Sequence, residues 1–348
     1  MERKILSKIL FDIGHPADVH FFKNLMWEME KKGHETLITA RRKESTFQLL
    51  DYYGFEFIDL GENKKGLLRK AIGLLQIDDN LRNISKKFKP DILTGFASPY
   101  ITHVGKFLRK KSILFNDTEH AKLNNRLSIP YSDYFVTPSS FRDDCGEKHI
   151  RFDGYKELAY LHPNWYKEEK DVLKDLDIKK NESYFIVRLV SWQASHDVGY
   201  KGASKEDILK LIKILEERGK VFLSSEYYDK DFEEYYIKVH PAKVHTLMNH
   251  ASMYIGEGAT MATEAAVLGK PSIFISPLMG KLGYVEELEK MYGLLFSFAN
   301  IDDSLNKIEE ILESDFTIEW NKKKKKMLDE KIDVTSFMIK LFEDKLYF

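Results

Sequence analysis

The chain has 348 residues, 43% hydrophobic and 31% charged, with a formal net charge of −1. That length suits two domains, the composition is that of an ordinary globular protein, and the charge balance excludes a global pull toward nucleic acid. Cys145 is the only cysteine, which excludes an intramolecular disulfide and makes a reducing compartment the simple expectation.

At the N-terminus, charges interrupt the apolar run of MERKILSKILFDIGHP, so no signal-peptide core is read there. No stretch approaches the ~18 apolar residues of a membrane span. A cytoplasmic protein is expected. The residues 8–14 (KILFDIG) read as a short apolar strand that ends in glycine. Asp18–Gly33 follows as a helix with Phe22, Leu25, Met26 and Met29 on one face. Further strands are predicted at 35–40, 55–60, 91–96, 112–116 and 133–138, with a long amphipathic helix before Pro90. Such alternation argues for a parallel sheet covered by helices on both faces.

The stretch 154–171 (GYKELAYLHPNWYKEEKD) breaks the rhythm and reads as the crossing between domains. A second alternating series then begins with a strand at 183–190. A helix at 204–219 has a Ser cap and a Gly stop. Strands follow at KVFLSS, YIKV, SMYIG, PSIFIS and LLFSF. The expected organisation is therefore a Rossmann-like domain over 1–160, a second over 175–320, and a helical tail over 321–348 that folds back on the first domain. Two such domains facing each other make a cleft.

Ligands of open parallel sheets bind beyond the carboxyl ends of the strands, and five clusters fall there. In DIGHPADVHFF, His15, Asp18 and His20 stand at a helix start whose amides favour an anion. TGFASPY is a small-residue turn that indicates close packing. In NDTEHAK, Glu119 and His120 are candidate acid–base groups, since charge at such a place is costly unless it faces a cleft; helix capping by Asp117 or Thr118 is the plainer alternative. In RLVSWQASHDVGYKG, Arg188 interrupts an apolar strand and suits a diphosphate, with Ser191 and His196 beside it and Glu226 at the next strand end. The fifth is GEGATMATEAAVLGKPSIF, preceded by KVHPAKVHTLMNHA. There Gly256, Gly258 and Ala259 allow a ligand to approach, Thr260 opens a helix whose amides hold phosphate, and Glu264 can accept two hydroxyl hydrogen bonds, as from a ribose diol. His240 lies in the segment leading to it.

The segment HPAKVHTLMNHASMYIGEGATMATEAAVLGKPSIF resembles the nucleotide-sugar-binding half of GT-B glycosyltransferases and of non-hydrolysing UDP-sugar 2-epimerases. The resemblance implies that Glu264 takes the ribose and that Gly258 to Thr260 line the diphosphate. The whole chain up to the tail is more specifically similar to the domain of unknown function family 354, on DIGHPADVHFF, NDTEHAK, GYKELAYLHP, RLVSWQASHD and GEGATMATEAAVLGKP. Two places depart from the epimerases. Their Ser-Gly-Gly turn reads Gly-Ala-Thr here, and their His-Val-Glu-Ala-Gly stretch is matched only at Glu119.

The expectation is thus a glycosyltransferase that uses a nucleotide-diphospho-sugar, UDP-linked, and an acceptor that the sequence does not identify. Arg188, Ser191, His196, Glu226, His240, Gly256, Gly258, Ala259, Thr260 and Glu264 would bind the nucleotide sugar. His15 or Glu119, with His120, would supply the base from the first domain. No cofactor is expected, and no metal, because no ligand cluster of suitable spacing is visible. The alternatives are a nucleotide-sugar 2-epimerase and a binding protein without turnover. Five consecutive lysines at 322–326, followed by the apolar face of 337–348, suggest weak peripheral contact with a membrane.

Overall fold

The computed structural model describes residues 7–61, 67–179, 182–190, 202–277, 279–314 and 317–347. They form two compact units, Met1–Trp165 with Ile332–Phe348, and Tyr166–Lys331.

The first unit runs β1 (Lys8–Ile13), α1 (Pro16–Lys31), β2 (Glu35–Ala40), α2 (Thr46–Tyr52), β3 (Phe57–Asp59), α3 (Leu67–Phe88) and β4 (Ile92–Phe96). It continues with α4 (Pro99–Leu108), β5 (Lys111–Phe115), α5 (Lys122–Ser128), β6 (Tyr134–Pro138), β7 (His149–Phe152) and α6 (Leu158–Leu161). The seven strands make one sheet in the order β3-β2-β1-β4-β5-β6-β7, with parallel pairing throughout. Helices cover both faces, so the central strands are largely buried on both sides and read as mainly apolar runs. On one face Leu10, Leu93, Leu114 and Phe135 pack with Ile77 and Leu81 of α3 and Ile101 and Val104 of α4. On the other, Phe11 meets Phe22 of α1 edge-on, with ring centroids 5.6 Å apart.

The second unit contains α7 (Val172–Asp175), β8 (Tyr184–Leu189), α8 (Lys205–Glu216), β9 (Lys220–Ser225), α9 (Val244–His250) and β10 (Met253–Gly256). After these come α10 (Ala259–Val267), β11 (Ser272–Ile275), α11 (Gly283–Glu287), β12 (Leu295–Phe298), α12 (Ile301–Glu313) and α13 (Thr317–Glu330). Its sheet has the order β12-β11-β10-β8-β9 and is again parallel. Ser204 caps α8 in a reciprocal capping box with Asp207, as its sequence signature predicts.

Two strand expectations change. YIKV makes only an isolated bridge, Leu223 with Tyr236, because the chain turns at His240-Pro241 before a ladder can extend along edge strand β9. His149–Phe152 is an extra edge strand, too short and too polar to stand out in the sequence. The tail also divides. The helix α13, which carries the lysines, belongs to the second unit, and only from Ile332 does the chain rejoin the first. There α14 (Val334–Tyr347) stacks Phe342 on Phe11 at 6.2 Å. Thr335 Oγ1 and Asn24 Nδ2 both donate to the Ala159 carbonyl, at 2.6 and 2.8 Å, tying α14, α1 and α6 together. Within the lysine run, Lys323 lies over the Trp320 ring, Lys326 over Tyr292, and the Lys324 stem against Gly269, so the five charges do not form one face. No helix among the described residues is long and apolar enough to cross a membrane.

Each sheet has one topological switch point. In the first, the chain moves outward from β1 to β2 and β3 on one side and restarts at β4 on the other. In the second, β8 and β9 go one way and β10 restarts beside β8. The crevices beyond the carboxyl ends of β1/β4 and of β8/β10 are the places where open parallel sheets in general bind ligands.

Candidate functional site

At the first switch point the end of β1 holds a buried network of charges. Asp12 is fully buried and accepts from Arg41 Nη1 at 2.9 Å, from Thr39 Oγ1 at 3.1 Å and from Ser98 Oγ at 2.6 Å. The Ser98 bond spans the switch from β4 to β1. Arg41 follows β2 and passes over Gly14, where a Cβ would lie 2.1 Å from its Nη2; glycine is required there for the guanidinium to reach Asp12. The Tyr100 ring lies against the same guanidinium, 4.7 Å from its centroid. Burial opposes the Arg41 charge, but Asp12 outweighs it and holds Arg41 protonated.

Lys156 completes the network. Its ammonium lies 2.8 Å from Asp117 and 3.9 Å from Glu157 and faces the Phe96 ring at 5.1 Å. Burial again works against the charge, and Asp117 and Glu157 raise its pKa above the ordinary lysine value. Asp18, in the first turn of α1, accepts from the Gly14 N–H at 2.9 Å. Burial pushes its carboxyl up to about 7, against the opposing pull of that N–H and of the Arg41 and Lys156 charges.

His15 occupies the N-cap of α1, and its Nδ1 accepts from the Ala17 N–H at 3.1 Å. An Nδ1 that accepts leaves the ring proton of the neutral tautomer on Nε2. His15 therefore presents a donor, and its Nε2 stands 3.8 Å from the Glu44 carboxylate. The histidine caps the helix through Nδ1, and in the neutral ring its Nε2 carries the proton. His20 turns inward against Tyr53 and Tyr160. Glu119 is buried and His120 half-buried in the turn after β5. That turn is closed by Asn116, whose Oδ1 accepts from the N–H groups of Asp117 and Thr118 at 2.9 and 3.1 Å; the N-cap of α5 is Ala121, so neither Asp117 nor Thr118 serves as a helix cap.

At the second switch point Arg188 of β8 lies beside Gly256 of β10. Its Nη1 donates to Ser224 Oγ at 2.8 Å and its Nη2 to Glu226 Oε1 at 2.9 Å. Thus the structure pairs two of the predicted nucleotide-sugar-binding residues, Arg188 and Glu226, with each other. A Cβ at Gly256 would approach the Arg188 carbonyl oxygen to 2.7 Å, so glycine is required there for the contact between strands. Gly258 differs: a Cβ there would meet Arg188 Cγ at an ordinary 3.4 Å. It is the N-cap of α10. Ala259 and Thr260, the first two residues of that helix, are half-buried. Thr260 and Glu264 stand one helical turn apart on one face. Glu264 is 4% exposed and accepts from His245 Nε2 at 2.9 Å.

Two further side chains frame this end. Glu257 Oε2 accepts from the Val190 N–H at 3.0 Å and its Oε1 from the Ala203 N–H at 2.8 Å. His240 precedes a short 3-10 turn, and its Nδ1 accepts from the Ala242 N–H at 3.2 Å, the arrangement seen at His15. The sequences at the two places are HPADVH and HPAKVH, a repeat that a comparison of the two halves exposes. Arg41, Ser98, Lys156, Glu257 and His245 carry no such sequence signal, because their partners are remote in the chain. Ser191 and His196 lie outside the described residues. Among the described residues no group of three or more His, Cys, Asp or Glu is arranged to hold a metal ion.

Comparison with known proteins agrees with this architecture. The family model described as "Protein of unknown function (DUF354)" matches residues 7–346. The uncharacterized protein MJ0665 of Methanocaldococcus jannaschii is 26% identical over 295 residues, 81% of this chain and 86% of that protein. Among solved structures, the UDP-GlcNAc 2-epimerase of Neisseria meningitidis bound to UDP-GlcNAc superposes with a TM-score of 0.65 at 14% identity, covering 98% of this chain and 99% of that one. The spinosyn forosaminyltransferase SpnP superposes with a TM-score of 0.61 at 13% identity, covering 97% and 99%. The two parallel-sheet units thus match the fold shared by GT-B glycosyltransferases and UDP-GlcNAc 2-epimerases.

Proposed function

The chain belongs to the DUF354 family, and from that premise we propose that it is a nucleotide-diphospho-sugar enzyme that transfers the sugar to an acceptor hydroxyl. The observation that carries this reading is the start of α10 at the second switch point, with Thr260 and Glu264 one turn apart on a half-buried helix end. In this reading the amides of Gly258 to Thr260 receive the diphosphate, and Glu264 takes the ribose diol. Arg188 exchanges Glu226 for a phosphate oxygen, a bidentate acceptor of the same charge type. His240 gives its Nε2–H to the same anion.

The first unit supplies the acid–base chemistry. A carboxyl with a pKa near the working pH is suited to accept a proton from an acceptor hydroxyl. Asp18, pushed up to about 7 by burial, fits that role better than His15, which donates from Nε2. Glu119 remains the second carboxyl for it. The helix amides and Arg188 stabilise the departing diphosphate, so the proposed reaction needs no metal, and activity that survives a chelator is the expected result. The cytoplasm is the proposed location.

The carboxyl-rich end of the first sheet favours a second reading, a 2-epimerase, which needs acid and base on opposite sides of the sugar. One experiment separates the two. The protein is incubated with a panel of nucleotide sugars, with and without candidate acceptors. Transfer releases nucleoside diphosphate only when an acceptor is present, whereas epimerisation changes the sugar without one. Binding with neither outcome would mark a non-catalytic binding protein, and failure to bind any nucleotide sugar would sink both readings.

A further inference from the structure

The Glu264 carboxylate is held from a second element, and that contact points to a determinant of specificity. His245 is the second residue of α9 and is 6% exposed. Its Nε2–H donates to Glu264 Oε1 over 2.9 Å. The imidazole is itself mounted on a pinned backbone. Tyr166 Oη donates to the His245 carbonyl at 3.3 Å, and the Thr246 hydroxyl accepts from the Glu169 N–H at 2.8 Å. A carboxylate with two rotatable side-chain bonds before its terminal torsion can point several ways along α10; a fixed donor selects one rotamer and one carboxylate plane.

We propose that His245 is a positioning residue for the nucleotide, setting the Glu264 carboxylate in the orientation that engages both hydroxyls of a ribose and so making the site selective for ribonucleotides over 2′-deoxyribonucleotides. The proposal rests on the reading of Glu264 as the ribose ligand. It adds a second residue, from a different helix, on which that selectivity depends. If His245 merely satisfied a buried carboxylate, its loss would weaken ribo- and deoxyribonucleotides alike. If it orients the carboxylate, its loss removes the preference between them.

The test is calorimetric titration of the full-length protein with UDP and 2′-deoxy-UDP, and with the matching pairs of ADP, GDP and CDP, followed through with the pair that binds most tightly. The wild-type protein is expected to prefer the ribonucleotide by about 10- to 100-fold, the worth of one hydrogen bond to a charged group. In His245→Ala that preference is expected to fall to about threefold or less. In His245→Gln, whose amide N–H reaches the place of Nε2, it is retained. If His245→Ala does not fold, His245→Asn, too short to reach Glu264, is read in the same way. A preference that survives in His245→Ala or His245→Asn overturns the role of His245 while leaving Glu264 as the ribose ligand. A wild-type protein that binds both members of the tightest pair equally overturns the Glu264 assignment, and His245 with it. Absence of binding to every nucleoside diphosphate overturns the nucleotide-sugar reading itself.

Discussion

Replacing Asp18 with Asn tests the electrostatics of the first switch point. In the folded protein burial raises the Asp18 carboxyl from 3.8 to about 7. Between those values the folded state holds a proton that the unfolded chain has released. The stabilising effect of the neutral acid is complete below the unfolded value, declines as pH rises, and is gone once pH passes the folded value. A shift of about three pKa units corresponds to about 4 kcal/mol in all, of which about 2.5 kcal/mol falls between about pH 5 and about pH 8. Asn keeps an acceptor for the Gly14 N–H, now 2.9 Å from the carboxylate, and carries no charge at any pH. Every other titrating group is common to the two proteins. Urea unfolding across that range should therefore show the variant gaining on the wild type by about 2.5 kcal/mol as pH rises. A gap that stays constant, or that moves in favour of the wild type, would refute the argument and mean that Asp18 is an ordinary ionised partner of Arg41 and Lys156.

Gly14→Ala should displace the Arg41 guanidinium, which lies 2.1 Å from the added Cβ, and leave Asp12 a buried charge without its partner; thermal and chemical unfolding should show a loss of about 3–5 kcal/mol. Glu264→Ala should lower affinity for a nucleoside diphosphate about 10- to 100-fold with the fold intact, and calorimetry that finds unchanged affinity would return Glu264 to a purely structural role. Once a substrate pair is known, His15→Ala should slow turnover without moving the acidic limb of the pH–rate profile, whereas Asp18→Asn should cost about 10²–10⁴-fold and abolish that limb; the reverse assignment would restore His15 as the base. Because Lys323, Lys324 and Lys326 are engaged within the second unit, sedimentation with anionic and neutral vesicles at low salt should be equal, and selective pelleting with the anionic ones would contradict this.

Much of the architecture is legible because parallel strands buried on both faces leave unbroken apolar runs. The ILF stretch of β1 and SIFI of β11 appear at their observed positions for that reason. Edge strands lack the signal: His149–Phe152 needs cover on one side only and is half polar, while YIKV has the composition of a strand but no room for a ladder. The strand-end clusters were visible as polar residues at the close of apolar runs. Their internal pairing was not. Asp117 with Lys156, Arg188 with Glu226 and His245 with Glu264 meet only after the sheets are assembled, and a single sequence carries no trace of which acid answers which base. The role of His15 turned on one backbone N–H two residues away, a detail of turn geometry that residue types alone leave open.

The most direct test of the account is a crystal structure of the protein with UDP or a UDP-sugar. The diphosphate is expected at the N-terminus of α10, against Gly258 to Thr260, with Arg188 turned from Glu226 to a phosphate oxygen and both ribose hydroxyls on Glu264. A nucleotide bound elsewhere, or Glu264 still engaged with His245 but remote from the ribose, would contradict it.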